Sequence, residues 1–167
     1  KRGSKIKIND IIIKGNKYIK SSALRRSMKE TKQKRWYNIF NASKYLEENF
    51  DADKQKIIDK YNAKGFRDAK IIYDTIYRFN DKTLNVELTL DEGHRYYFRN
   101  ITFLGNTKHS SQELQNILNI KKGDIYNQDL LNSRLNMSQD SRDISSLYMD
   151  DGYLFFQINP VEVLVDN

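Results

Sequence analysis

No cysteine occurs in the 167 residues, so the fold is held without disulfides and no thiolate can ligate a metal. Histidine is nearly absent as well: His94 and His109 are the only two, with no second histidine or cysteine at metal-ligand spacing, and both are expected to be lone surface groups near turns. The seven glycines form no phosphate-cradling loop, nucleotide fingerprint or Gly-x-Ser-x-Gly elbow. The paired acids Glu47-Glu48 and Asp150-Asp151 stand without the partners that general acid–base work needs. No run of 18 apolar residues is available to cross a bilayer as a helix, and no basic-then-apolar leader opens the chain. Lys1 follows no methionine, which fits a processed or excised piece. These absences point away from an enzyme: no catalytic residue, cofactor or metal is expected.

Charge is abundant but unevenly placed. Residues 1–36 hold 13 of the 29 Lys and Arg against two acids, Asp10 and Glu30, whereas the remainder carries 16 bases and 20 acids. The net +7 is therefore a property of the first segment alone. A run of this kind is a solvated face or a contact for an acidic partner or anionic surface.

The chain also repeats itself. Ile11, Ile13, Gly15, Asn16, Ser21, Leu24 and Met28 fall on Ile101, Phe103, Gly105, Asn106, Ser111, Leu114 and Leu118 at one offset, and Tyr61, Gly65, Phe66 and Ile71 fall on Tyr148, Gly152, Tyr153 and Ile158. Two modules in tandem follow, residues 5–93 and 94–167. In the first, a β-branched strand from Ile6 to Lys14 ends at the turn pair Gly15-Asn16. Ser21 and Ser22 offer N-cap oxygens to a short helix with Leu24 and Met28 on one face.

A basic insert, Lys29 to Arg35, leads to an aromatic group, Trp36 to Phe40, expected to dock the second helix. That helix, capped by Asn41 or Ser43, is expected from Ala42 to Ala63, with Gly65 in the left-handed region beyond its end. A strand from Ala69 to Phe79 turns at Asn80-Asp81-Lys82 into another, where Leu84, Val86, Leu88 and Leu90 alternate with Asn85, Glu87 and Thr89, so that one face is buried and the other wet.

The second module repeats the order as strand 96–104, helix 111–118, a turn at Lys122-Gly123-Asp124, helix 127–149 and strand 153–165, then stops before its closing strand. The fold class is α+β: two βααββ modules, each a three-stranded mixed sheet with two helices on one face. Pro160, the single proline, is tolerated in the last strand only at a sheet edge or a bulge.

A strand ending in Gly-Asn, a helix pair, then Tyr-x-x-x-Gly-Phe/Tyr entering a strand resembles the polypeptide-transport-associated (POTRA) domain. Gly15, Asn16, Tyr61, Gly65 and Phe66 carry the likeness once, and Gly105, Asn106, Tyr148, Gly152 and Tyr153 carry it again. Residues Asp53 to Tyr61 with Gly65 to Ala69 most resemble a middle module of the BamA-type outer-membrane assembly proteins of Gram-negative bacteria. The resemblance implies a periplasmic array before a membrane β-barrel absent from this sequence, and as partners unfolded outer-membrane β-barrel proteins and accessory assembly lipoproteins. The Lys29 to Arg35 insert departs from the family pattern. The resemblance also implies the strand order first, third, second, leaving the second strand at an edge.

An extended client can add to such an edge through main-chain hydrogen bonds. The candidate residues are Ile71, Ile72, Tyr73, Asp74, Thr75, Ile76 and Tyr77 in the first module, and Phe155, Phe156, Gln157, Ile158, Asn159 and Val161 in the second. If Ile71 and Ile158 point inward, Ile72 and Phe155 point outward. The alternative is that these are ordinary edges, protected by Lys70, Asp74, Arg78 or Pro160. Related modules also serve two-partner secretion, autotransporter assembly or cell division. A basic α/β nucleic-acid-binding module is the rival class; against it, the basic excess lies in one copy, so no nucleic-acid partner is expected.

Overall fold

The computed structural model describes residues 5–31, 36–38, 42–136 and 138–165. The chain divides into two compact units, Lys1–Tyr96 and Tyr97–Asn167. The first unit runs β1 (Lys5–Lys14), α1 (Ser21–Ser27), β2 (Trp36–Asn38), α2 (Ala42–Asn62), β3 (Lys70–Asn80) and β4 (Thr83–Asp91). Its sheet has the order β2-β1-β4-β3, with β4 parallel to β1 and antiparallel to β3. The three principal strands thus form a mixed sheet, and β2 adds three residues antiparallel to the start of β1, at Lys5 to Lys7.

The expected alternation along β4 is present: Val86, Leu88 and Leu90 are buried and Leu84 packs against them. They share one core with Ile8, Ile11 and Ile13 of β1, Leu24 of α1, Met28 just past it, and Phe50, Ile57 and Tyr61 of α2, so both helices lie on one face of the sheet. Along β1 the buried set is Ile8, Ile11 and Ile13, an odd step followed by an even one. A pleated strand cannot turn residues three apart to one side. Asn9 is the extra residue: Ile8 pairs with Leu84 and Asp10 with Asn85, and the bulge returns Ile11 to the core.

The Gly-Asn turns close alike in both units. Gly15 has φ +80° and Gly105 φ +77°. Asn16 Nδ2 donates to Ile19 O and Ser21 Oγ, and Asn106 Nδ2 to His109 O and Ser111 Oγ. The helix ends agree too: Phe66 N–H bonds to Tyr61 O across Gly65, and Tyr153 N–H to Tyr148 O across Gly152, both glycines being left-handed.

Two buried carboxylates organise loops. Asp53 on α2 is fully buried and accepts from the backbone N–H groups of Lys29, Glu30 and Thr31, with Lys56 Nζ 2.9 Å away. Glu92, also buried, accepts from the Tyr61 hydroxyl at 2.7 Å and from Tyr18 N–H at 3.0 Å. Burial, followed by this carboxylate, pushes the Tyr61 phenol well above its ordinary pKa.

Several expectations are corrected. Helix α1 has Lys20 at its N-cap with no side-chain cap, since the Ser21 hydroxyl is taken by Asn16. The aromatic group contributes β2, a strand that apolar spacing did not predict; residues 32–35 of the insert and 39–41, with the proposed Asn41 cap, lie outside the described residues, as do the side chains of Trp36 and Ser43. In the second unit the helix expected over 127–149 is two, α4 (Gln128–Leu135) and α5 (Ile144–Asp150), following α3 (Ser111–Leu118). The break has an electrostatic cause. Asp143 caps α5 by accepting from Ser146 N–H and reaches back to Ser138 N–H and Oγ, while Ser141 takes φ +53°.

Burial acts to raise the pKa of Asp143, and the hydrogen bonds from Ser146 and Ser138 outweigh it and hold the carboxyl below its usual value. A depressed folded-state pKa contributes stability that is complete above the unfolded value, about 3.9, and is lost as pH falls through the lower folded one. The urea midpoint of the second unit is therefore expected to fall from about pH 4 downward, and Asp143→Asn to flatten that slope. An unchanged slope in the variant would contradict this assignment.

The second unit has its own core of Leu114, Leu118, Ile120, Leu131, Leu135, Ile144 and Tyr148, against which Ile101, Phe103, Phe156 and Ile158 pack. Residues 96–104 and 153–165, expected as strands, form no ladder among the described residues; a single antiparallel bridge joins Tyr97 to Ile125. In the first unit the equivalent strands β1 and β3 pair with β4 and not with each other.

Candidate functional site

The two margins of the first sheet differ. Beside β1 lies β2, in register at Lys5–Asn38, Ile6–Tyr37 and Lys7–Trp36. Beside β3, among the described residues, no strand lies at all. The antiparallel pairing of Tyr97 with Ile125, with Phe98 N–H on Asp124 O and Gly123 N–H on Phe98 O, repeats the cover of the first margin in the second unit.

Register assigns the faces of β3. Ile71 pairs with Leu90, Asp74 with Leu88, Ile76 with Val86 and Arg78 with Leu84, which puts these four on the helix side with the core residues of β4. Tyr73 pairs with Thr89, Thr75 with Glu87 and Tyr77 with Asn85, on the opposite face. Ile71 and Ile76, five apart, reach one face because Ile72 is an extra residue between them; Phe79 is a second, between Arg78 and Asn80. Both bulge residues are exposed, Ile72 at 58% and Phe79 at 59%. As expected, Ile71 packs on the core and Ile72 points outward. The bulges were not anticipated, although the odd spacing of Ile71 and Ile76 was a visible signal for one.

Contacts fix the two rows of side chains. On the helix side, Lys54 of α2 lies between Asp74 at 2.6 Å and Asp51 at 2.7 Å. Burial acts to lower the Lys54 pKa, but the two carboxylates outweigh it and leave it raised. On the other face Asn9 Nδ2 donates to Asn85 Oδ1, and Asn85 Nδ2 lies 3.4 Å from the Tyr77 hydroxyl, a polar chain across three strands. Lys14 bonds Glu87 on the same face. Tyr73 and Tyr77 remain 52% and 39% exposed.

In the second unit the candidate residues are arranged differently. Phe156 stacks on Tyr148 with ring centroids 3.9 Å apart, and Ile158 packs on the core, whereas Phe155 and Val161 are exposed, as are Gln157 and Asn159. Among the described residues these segments form no strand ladder, and a strand edge is present in the first unit. His109, expected as a lone surface group, is instead mostly buried: Nδ1 lies 3.1 Å from Glu113, Nε2 lies 3.0 Å from Asp151, and the ring meets Tyr148 edge-on. Among the described residues no group of three His, Cys, Asp or Glu side chains could hold a metal, and no helix is long and apolar enough to cross a membrane.

Known proteins share this arrangement. The BamA outer-membrane assembly factor of Neisseria meningitidis is 29% identical over 126 residues, covering 74% of this chain and 16% of that protein. A putative outer-membrane assembly factor of Treponema pallidum is 26% identical over 165 residues, covering 96% of this chain and 18% of its own. The chain thus spans less than a fifth of either relative. The crystal structure of modules 3–5 of Haemophilus influenzae BamA superposes with a TM-score of 0.57 at 26% identity, covering 78% of this chain and 52% of that one. The POTRA family, described as the surface antigen variable number repeat, matches residues 6–93 and again 96–167. With nearly every residue inside those two matches and both units closing their turns and helix ends alike, the chain belongs to the POTRA family and is a pair of modules of the BamA type.

Proposed function

We propose that this chain is a periplasmic, non-enzymatic segment of an outer-membrane protein assembly factor, anchored by a C-terminal barrel outside this sequence. It holds unfolded β-barrel proteins in extended form on the outer margin of β3 and docks accessory assembly lipoproteins. The assembly role rests on the likeness to the Neisseria and Treponema proteins, and the mode of holding on one observation: β2 covers the other margin while β3 has no neighbour among the described residues. Main-chain pairing is indifferent to client sequence, as a general assembly factor requires. A contact of one short strand lies below the size of stable interfaces, so the client is released readily.

Photo-crosslinking from the Tyr77 position to an unfolded barrel-protein peptide tests this. Thr75→Pro is expected to reduce labelling several-fold with the circular dichroism unchanged. Because proline can disturb β3 itself, a peptide N-methylated at alternate residues provides the second arm, removing main-chain donors from the client alone. Undiminished labelling by that peptide would refute strand addition.

A further inference from the structure

We infer that a cationic cleft in the second unit is a binding site for the phosphate of an anionic lipid headgroup. It does not depend on the strand-addition reading. Its walls are residues 99–101 and the turn 120–122, with Gln115 of α3 between them, and its volume is about 370 Å³. Ile101 and the buried Ile120 form the apolar lining, Asn100 and Gln115 add amides, and Arg99, Lys121 and Lys122 bring three cations from the two walls. Residues 97–167 hold six Lys and Arg against nine Asp and Glu. Half the positive charge of an acidic unit is thus gathered at one cleft.

The protein does not neutralise that charge itself. No carboxylate lines the cleft, and Asp124, the acid of the turn, accepts from Lys121 N–H at 2.7 Å. The repeat shows the contrast. In the first unit Asp10 and Arg25 lie 4.0 Å apart, and at the same offset the second unit has the amides Asn100 and Gln115. The backbone that carries the cations is also fixed. Asn119 ends α3 in the left-handed conformation, Gln115 Nε2 donates to Ile120 O, and Phe98 pairs with Gly123 N–H and Asp124 O. Cations held in place around a small cleft meet a phosphate with charge-assisted hydrogen bonds and little loss of freedom.

The rim points to a lipid as the source of that phosphate. Tyr97 and Ile125, joined by the antiparallel bridge beside the cleft, are 53% and 39% exposed. Aromatic and apolar side chains next to Lys and Arg suit a membrane–water interface, where the cations take headgroups and the rings take the glycerol and upper acyl region. A free phosphate would engage the cations and leave this rim idle.

Calorimetric titration of the whole chain with monomeric dihexanoyl phosphatidylglycerol, and with glycerol phosphate, tests the site. The lipid is expected to bind about tenfold more tightly than its headgroup alone. Lys121→Gln/Lys122→Gln is expected to weaken lipid binding about tenfold. Lys17→Gln/Lys20→Gln removes the same charge at exposed positions of the more basic first unit and is expected to change it less than about twofold. As all four lysines are exposed, circular dichroism is expected to stay the same for both variants. In the unaltered chain the Gly123 amide resonance is expected to move as lipid is added, which locates the site without any substitution. Equal weakening by the two double variants would assign binding to net charge and overturn the cleft. Glycerol phosphate binding as tightly as the lipid would overturn the lipid source, and absence of binding by either ligand at millimolar concentration would overturn the site itself.

Discussion

Asp53→Ala is expected to unfold the first unit at temperatures where the second stays folded. The carboxylate is fully buried on α2 and takes the N–H groups of three successive residues, Lys29, Glu30 and Thr31, with Lys56 beside it. Alanine leaves those donors without an acceptor, a penalty of about 1–3 kcal/mol for the buried Thr31 N–H and less for the part-buried ones of Lys29 and Glu30, while the partly exposed Lys56 turns to water at little cost. A net loss of about 4 kcal/mol is a large part of what a unit of this size possesses. It corresponds to a fall in melting temperature on the order of 20 °C. Asp53→Asn, which keeps one acceptor oxygen, is expected to lose about half as much. Differential scanning calorimetry separates the transitions of the two units, and a shift of only a few degrees would show that the loop after α1 does not depend on this side chain.

Gly15→Ala and Gly105→Ala are expected to differ although the residues occupy the same place in the repeat. Both have positive φ, which for alanine costs roughly 1–2 kcal/mol. At Gly15 an added Cβ would stand 2.1 Å from the carbonyl oxygen of Leu90, a backbone atom locked in β4 between two strands. At Gly105, among the described residues, it would meet nothing within 4 Å. The first substitution therefore adds a steric cost to the conformational one, for a total of about 3 kcal/mol or more, and the second stops near 1 kcal/mol. Equal shifts of the two denaturation midpoints would rule out close approach of β4 to the first turn as the reason for glycine there.

These contrasts show which features a sequence of this kind carries openly. Gly15-Asn16 and Gly65, with their echoes Gly105-Asn106 and Gly152, were legible because each conformation is set by its own few residues. The two faces of β4 were legible because its apolar residues keep a strict period of two. The second helix of the second unit was not: apolar residues recur at helical spacing from Asn127 to Met149, while the break depends on Asp143 reaching back to Ser138, a local preference that periodicity does not record.

Strand β2 was hidden for a different reason. Three residues have no period, and their partner lies some 30 residues earlier in the chain. The candidate margin was legible only through family likeness, since which strand lies outermost is decided by pairing between distant segments. One of its bulges was visible in the odd spacing of Ile71 with Ile76, as the bulge of β1 was in that of Ile8 with Ile11.

The short regular stretch between Ile72 and Phe79 would also set a clock under the strand addition proposed above. Six residues of main chain holding a guest at a dissociation constant on the order of 100 μM, with association near 10⁶ M⁻¹s⁻¹, would release it on the order of 100 times per second. Under that proposal a long polypeptide would be gripped, dropped and gripped again further along, and its residence would grow with the number of suitable segments it contains. The interruptions in β3 would then keep any one grip brief, so that a passing chain is counted by its repeats without being stalled.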